Sequence, residues 1–303
     1  MYITETRATE EEARDTDKKR GVRAGALRAV REFLNSRSFY VLQVLIACFF
    51  VFIKQEVLGA ICFVALITAI LAVCDDIRAT TLPFLIICTI TTNRYNSYNL
   101  YIGYIKYVPV VLVALIYHFV VYHKSFAFGE SAKGIFAAGV AISLGGLGRF
   151  TLSDYIYGGY YFFGLGFGML FAYALMRSEF YDDKKEDRYK FAFMMTAYGM
   201  LCGFMIANGY YKLYIEKSIV NLNPEGFSRN NLSTLLMFVM PFPLYLAKRK
   251  PAAAFLTVLV LAFLALTRSR GGFLFGCIEF AVCAVFWIFS GKTKKGRKIR
   301  LYV

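Results

Sequence analysis

"AAAFLTVLVLAFLALTRSRGGFLFGCIEFAVCAVFWIF", residues 252–289, decides the fold. Two apolar runs, each near the length of a bilayer crossing, flank a six-residue polar turn, Thr267-Arg268-Ser269-Arg270-Gly271-Gly272. Runs of that length with few charges read as transmembrane helices. The same pattern recurs along the chain. Of the 303 residues 58% are hydrophobic, and they come in long runs rather than one in three or four. A soluble domain cannot hide that much apolar surface. A transmembrane β-barrel would alternate apolar and polar residues over short segments, and no such alternation is seen. The expected class is all-α, a polytopic transmembrane helical bundle.

Ten spans are expected, roughly at 39–53, 57–74, 82–92, 100–122, 134–148, 158–176, 190–207, 232–247, 252–267 and 272–290. Charge orients them. With the N-terminus in the cytoplasm, the inside segments carry 24 Lys/Arg and the outside connectors carry 8. The positive-inside rule favours that arrangement, with both termini cytoplasmic. It also accounts for the net charge of +15, so no nucleic-acid partner is expected. The first apolar run begins too late for a cleavable signal peptide. All seven cysteines lie in apolar runs without a C-x-x-C pair, and read as small core hydrophobes.

Two regions are expected: a polar leader at 1–37 and a transmembrane domain at 38–303. Residues 18–37 hold seven Lys/Arg against one Glu. Leu27, Val30, Phe33 and Leu34 fall at helical spacing there, with Arg23, Arg28 and Arg31 elsewhere on the wheel. The segment reads as a short interfacial helix, serving as a topology anchor. Glycines in "SLGGLGRF" and "GGYYFFGLGFG", including Gly164 and Gly168, suit close helix packing.

Topology explains the inside cations and works against the outside ones. The latter are Lys54, Arg94, Arg149, Lys212, Lys217, Arg229, Arg268 and Arg270. Guanidinium groups suit bidentate phosphate recognition and stay charged at any working pH. Arg268 and Arg270, followed at once by two glycines, therefore mark a candidate site for a lipid-linked pyrophosphate. Lys106, inside the fourth span, is either functional or snorkels outward. Arg149 and Asp154 share a short connector and are expected to pair.

"LALTRSRGGFL" resembles the hallmark segment of the O-antigen ligase and polymerase family of bacterial membrane glycosyltransferases. The matching core is Arg270-Gly-Gly-Phe-Leu274, with Ser269 before it. "GFSRNNLSTLLMFVMPFPL" resembles the family's Asn-rich segment, with Asn231 as the matching asparagine and Arg229 close by. The resemblance is specific over residues 205–290 and only topological upstream. It implies transfer of a glycan from an undecaprenyl-pyrophosphate carrier to a glycan or lipid acceptor at the external face of the cytoplasmic membrane. It implies no metal and no cofactor. Arg270 is carried over as the catalytic arginine, stabilising negative charge as it develops on the leaving pyrophosphate. Arg229, Asn231, Arg268, Lys212 and Lys217 are candidate substrate-binding residues. All of these except Asn231 are added on charge and side of the membrane.

The family's histidine base lies in a large external loop beyond further spans. Here the two histidines, His118 and His123, fall at the inner end of span four and read as interfacial residues. A truncated chain is therefore expected. Glu216 and Glu225 are the external carboxylates nearest the motif, and stand as alternative bases. Other readings are a transporter or lipid-glycan translocator, and an inactive relative that still binds the lipid carrier.

Overall fold

The computed structural model describes residues 27–92, 108–122, 185–222 and 227–289, with Gly25 and parts of a helix within 133–141. The leader up to residue 24, Arg94, Lys106, His123, Arg149, Asp154, Gly164, Gly168, Glu225 and the sixth expected span lie outside the described residues, as does most of the fifth.

Among the described residues every regular element is helical. They are α1 (Leu27–Leu34), α2 (Arg37–Phe52), α3 (Glu56–Val73) and, after a 3₁₀ turn at Ile77–Thr80, α4 (Thr81–Thr92). There follow α5 (Val108–Tyr122), α6 (Lys185–Tyr214), α7 (Arg229–Val239), α8 (Pro241–Leu246), α9 (Ala254–Leu266) and α10 (Arg270–Phe289). Among the described residues three helices are long and apolar enough to cross a membrane: α3, nearly all of α6, and α10. The pair α1 and α2, bent by 65°, makes a fourth if it is counted as one span.

α6 is the spine. Its 30 residues extend roughly 45 Å at the helical rise. It buries Phe191, Met194, Met195, Tyr198, Leu201, Cys202, Met205 and Ile206 against α2, α4, α7 and α9. Ion pairs tie α2 to it near both ends. Arg37 meets Glu186 at 2.6 Å, and Lys54, just beyond α2, meets Glu216, just beyond α6, at 2.5 Å. The two helices therefore run in the same direction. Gly203 lets α9 close in, since a Cβ there would stand 2.2 Å from the Phe263 ring. Small residues permit such approach between membrane helices. The Tyr198 hydroxyl, buried where α6 meets α4, is bonded to Thr89 Oγ1.

The first end of the bundle is charged. Glu186 receives Arg249 from the α8–α9 connector as well as Arg37, and Arg249 also lies 3.7 Å over the Tyr189 ring. Arg78, after α3, pairs with Asp76 and reaches Asp187. α1 joins this end at a sharp corner. Ser36 caps α2 by accepting the Phe39 amide, and Arg31 donates to the Val73 carbonyl at the end of α3.

Two expectations change. The run expected as one span at 232–247 is two helices, α7 and α8, interrupted at Met240. Pro241 brings no amide to continue the ladder, and Pro243 removes another. α6 runs beyond its expected limits at both ends. The His118 side chain is buried between α5 and α3, with Nδ1 3.0 Å from the Leu71 carbonyl of α3.

Candidate functional site at the arginine turn

The polar turn between α9 and α10 is built by its own hydroxyls. Thr267 is fully buried and donates to the Leu264 carbonyl at 2.7 Å; its oxygen then accepts the Ser269 amide. Ser269 Oγ accepts the Gly272 amide at 3.3 Å. That is the bond by which a serine opens a helix, and it sets where α10 begins.

Between those two hydroxyl residues Arg268 takes φ 56°, the left-handed region that side chains seldom occupy. The turn carries the chain from one helix into the next at the cost of that conformation. It leaves the Arg268 guanidinium 5.8 Å from the centre of the Tyr210 ring on α6. The Tyr210 hydroxyl donates to the Leu266 carbonyl at 2.8 Å, closing the end of α9. Tyr214 stacks on Tyr210, with ring centres 6.0 Å apart. The Tyr210 phenol, and then a hydrogen bond with Tyr214, raise the Arg268 pKa above its ordinary value.

The start of α7 meets the same turn. Ser269 Oγ donates to Asn230 Oδ1 at 3.3 Å. One turn into α10, Gly272 packs on Ser233, where an added Cβ would stand 2.6 Å from the serine Cβ. The Asn segment and the Arg motif, separated in sequence by two helices, therefore touch.

All six expected site residues fall at this end of the bundle. Arg268 and Arg270 are exposed on the turn and the first residue of α10. Arg229 is half-buried and Asn231 exposed, both in the first turn of α7. Lys212 is half-buried on the last turn of α6. Lys217 lies exposed in the turn that follows, itself at φ 54°. The asparagine that bonds to the Arg motif is Asn230, one position before the expected Asn231. Comparison of the chain with family models, curated proteins and solved structures gave no match.

Glu216, weighed as an external base, is engaged by Lys54, which holds its carboxyl below the usual glutamate range. A carboxylate so held is a weaker proton acceptor. Among the described residues no group of three His, Cys, Asp or Glu is arranged to hold a metal ion.

Sequence reasoning missed Tyr210, Tyr214 and Asn230, and placed Ser269 in the motif without a role of its own. The tyrosine pair had a legible signal, since residues four apart share a helix face. Nothing local singled out Asn230 from Asn231. What the arrangement offers chemically is a cationic, hydroxyl-rich patch suited to an anion. Arg268 is braced on aromatic rings, and Arg270 stands at a helix start, where the helix dipole also favours negative charge.

Proposed function

We propose that the chain is a membrane glycosyltransferase of the O-antigen ligase or polymerase type. It moves a glycan from an undecaprenyl-pyrophosphate carrier to a glycan or lipid acceptor at the external face of a bacterial cytoplasmic membrane. In this reading the chain crosses the membrane ten times with both termini inside, as the charge bias of its connectors favours. The observation that carries the reading is the Ser269–Asn230 hydrogen bond, because it joins the two sequence segments on which the family resemblance rests.

Arg270 is the catalytic residue, stabilising the leaving pyrophosphate as its charge develops. Arg268, Arg229, Asn231, Lys212 and Lys217 bind the carrier's anionic head. The reaction breaks the bond between the anomeric carbon and pyrophosphate and forms one from that carbon to the acceptor oxygen. The acceptor's proton leaves to a base. The test is reconstitution with lipid-linked oligosaccharide, following covalent transfer. Arg270→Ala is expected to reduce transfer on the order of 100-fold or more, and an unchanged rate rejects the reading.

A second reading has one observation in its favour. The interruption at Met240–Pro241 breaks an apolar run between the two ends of the bundle, and transporters use broken helices at substrate sites. In that case the protein translocates a lipid-linked glycan without making bonds. Proteoliposomes that flip the glycolipid and yield no covalent product would favour it.

A further inference from the structure

The described contacts distinguish the sides of α1. On one face Arg31 donates to the Val73 carbonyl at 2.8 Å and to the Tyr122 hydroxyl at 3.4 Å. Tyr122 in turn donates to the Ala72 and Val73 carbonyls. Arg31 thus closes the last turn of α3 and reaches the end of α5, where its guanidinium also lies 5.8 Å from the Tyr122 ring centre. Leu34 packs beside Phe39, Ile70, Cys74 and Ala79. Leu27, Val30 and Phe33 are 38%, 47% and 49% exposed, although the Phe33 ring also lies 5.2 Å from that of Phe39. They project as an apolar strip along the short helix. Arg28 and Glu32 pair on a third, solvent-facing side.

The corner at Asn35 and Ser36 turns α1 by 65° from α2. If α2 crosses a bilayer, α1 lies close to the bilayer plane. Its end of the bundle also carries Arg37, Arg78 and Arg249, each paired with a carboxylate of Glu186, Asp76 or Asp187. The segment around it, residues 18–37, holds seven Lys/Arg against one Glu. An apolar strip in a segment of that composition suits anionic lipid, which takes apolar side chains into its acyl boundary and cations at its headgroups.

We propose that α1 docks on an anionic lipid leaflet through Leu27, Val30 and Phe33, and that Arg31 serves the protein instead, fastening the helix to the ends of α3 and α5. These contacts set Arg31 apart from the other basic residues of the segment. The inference stands whether or not the chain transfers glycans.

The experiment uses the full chain in nanodiscs of phosphatidylglycerol or phosphatidylcholine, with bromine on the acyl chains just below the headgroups. Val30→Trp is compared with Glu32→Trp on the other side of α1. Trp287 is the one native tryptophan, so both are made with Trp287→Phe. Should that change spoil folding, the parent's Trp287 signal is subtracted instead. In phosphatidylglycerol the Val30 probe is expected to be quenched about twofold more than the Glu32 probe, and the gap to narrow in phosphatidylcholine. Arg31→Ala is expected to shrink the gap as the helix comes loose. Equal quenching of the two probes, or a gap indifferent to lipid charge, overturns the docking. A gap unchanged by Arg31→Ala overturns the fastening.

Discussion

Ser269 donates its hydroxyl to Asn230 Oδ1 at 3.3 Å, joining residues 39 positions apart, while accepting the Gly272 amide at the start of α10. One hydroxyl therefore sets both the first turn of α10 and its register against α7. Removing it costs a cap and a cross-helix bond together. Ser269→Ala is expected to destabilise by about 1–2 kcal/mol, and Asn230→Ala by about 0.5–1. The double variant should lose less than the sum, because the two share a bond. Thermal unfolding in detergent reads all three. Strict additivity would mean that the bond contributes nothing.

Two adjacent glycines separate packing from flexibility. A Cβ at Gly272 would stand 2.6 Å from Ser233 Cβ, an atom fixed by its own backbone, so α7 and α10 would have to part. A Cβ at Gly271 meets nothing within 4 Å. Gly272→Ala is expected to destabilise by about 1–3 kcal/mol. Gly271→Ala should be neutral or slightly stabilising, since alanine favours the helix over glycine. Equal melting temperatures for the two variants would contradict this packing.

The backbone of Arg268 makes a prediction of its own. Its φ of 56° suits glycine and disfavours β-branched side chains most. Arg268→Val should therefore melt lower than Arg268→Gly, although both lose the guanidinium over Tyr210. Should the glycine variant melt lower, the left-handed turn is not what the position requires.

Where apolar runs alone decide a helix, the sequence was close. α3 was expected at 57–74 and is Glu56–Val73; α10 was expected at 272–290 and is Arg270–Phe289. α6 was expected to stop at 190 and 207 because polar residues lie beyond. They stay helical through distant partners: Glu186 through Arg37 and Arg249, Tyr210 through the Leu266 carbonyl. No local window holds that information. The break at Met240 was legible in Pro241 and Pro243, but the apolar run around them outweighed it. At the candidate site the side-chain types and the end of the bundle were readable from charge. Choosing Asn230 over Asn231, or finding Arg268 braced by Tyr210, required knowing which helix ends meet.

The opposite end yields a pH prediction. The Glu186 carboxylate accepts Arg249 at 2.7 Å on one oxygen and Arg37 at 2.6 Å on the other. The hydrogen bond from Arg249, with the charges of Arg249, Arg37 and Lys190, lowers its pKa below the ordinary glutamate value. A group whose folded pKa is depressed contributes stability that is fully present above its unfolded pKa. That contribution is lost as pH falls through the lowered folded value. The melting temperature should therefore hold through neutral pH and fall once the medium is more acidic than the usual glutamate range. Glu186→Gln should lower it at neutral pH and flatten part of the acid decline, since the neutral amide has no proton to take up. The partners are exposed, so salt should weaken the effect. Parent and variant curves that run parallel from neutral pH into acid would show that Glu186 is not the group that titrates.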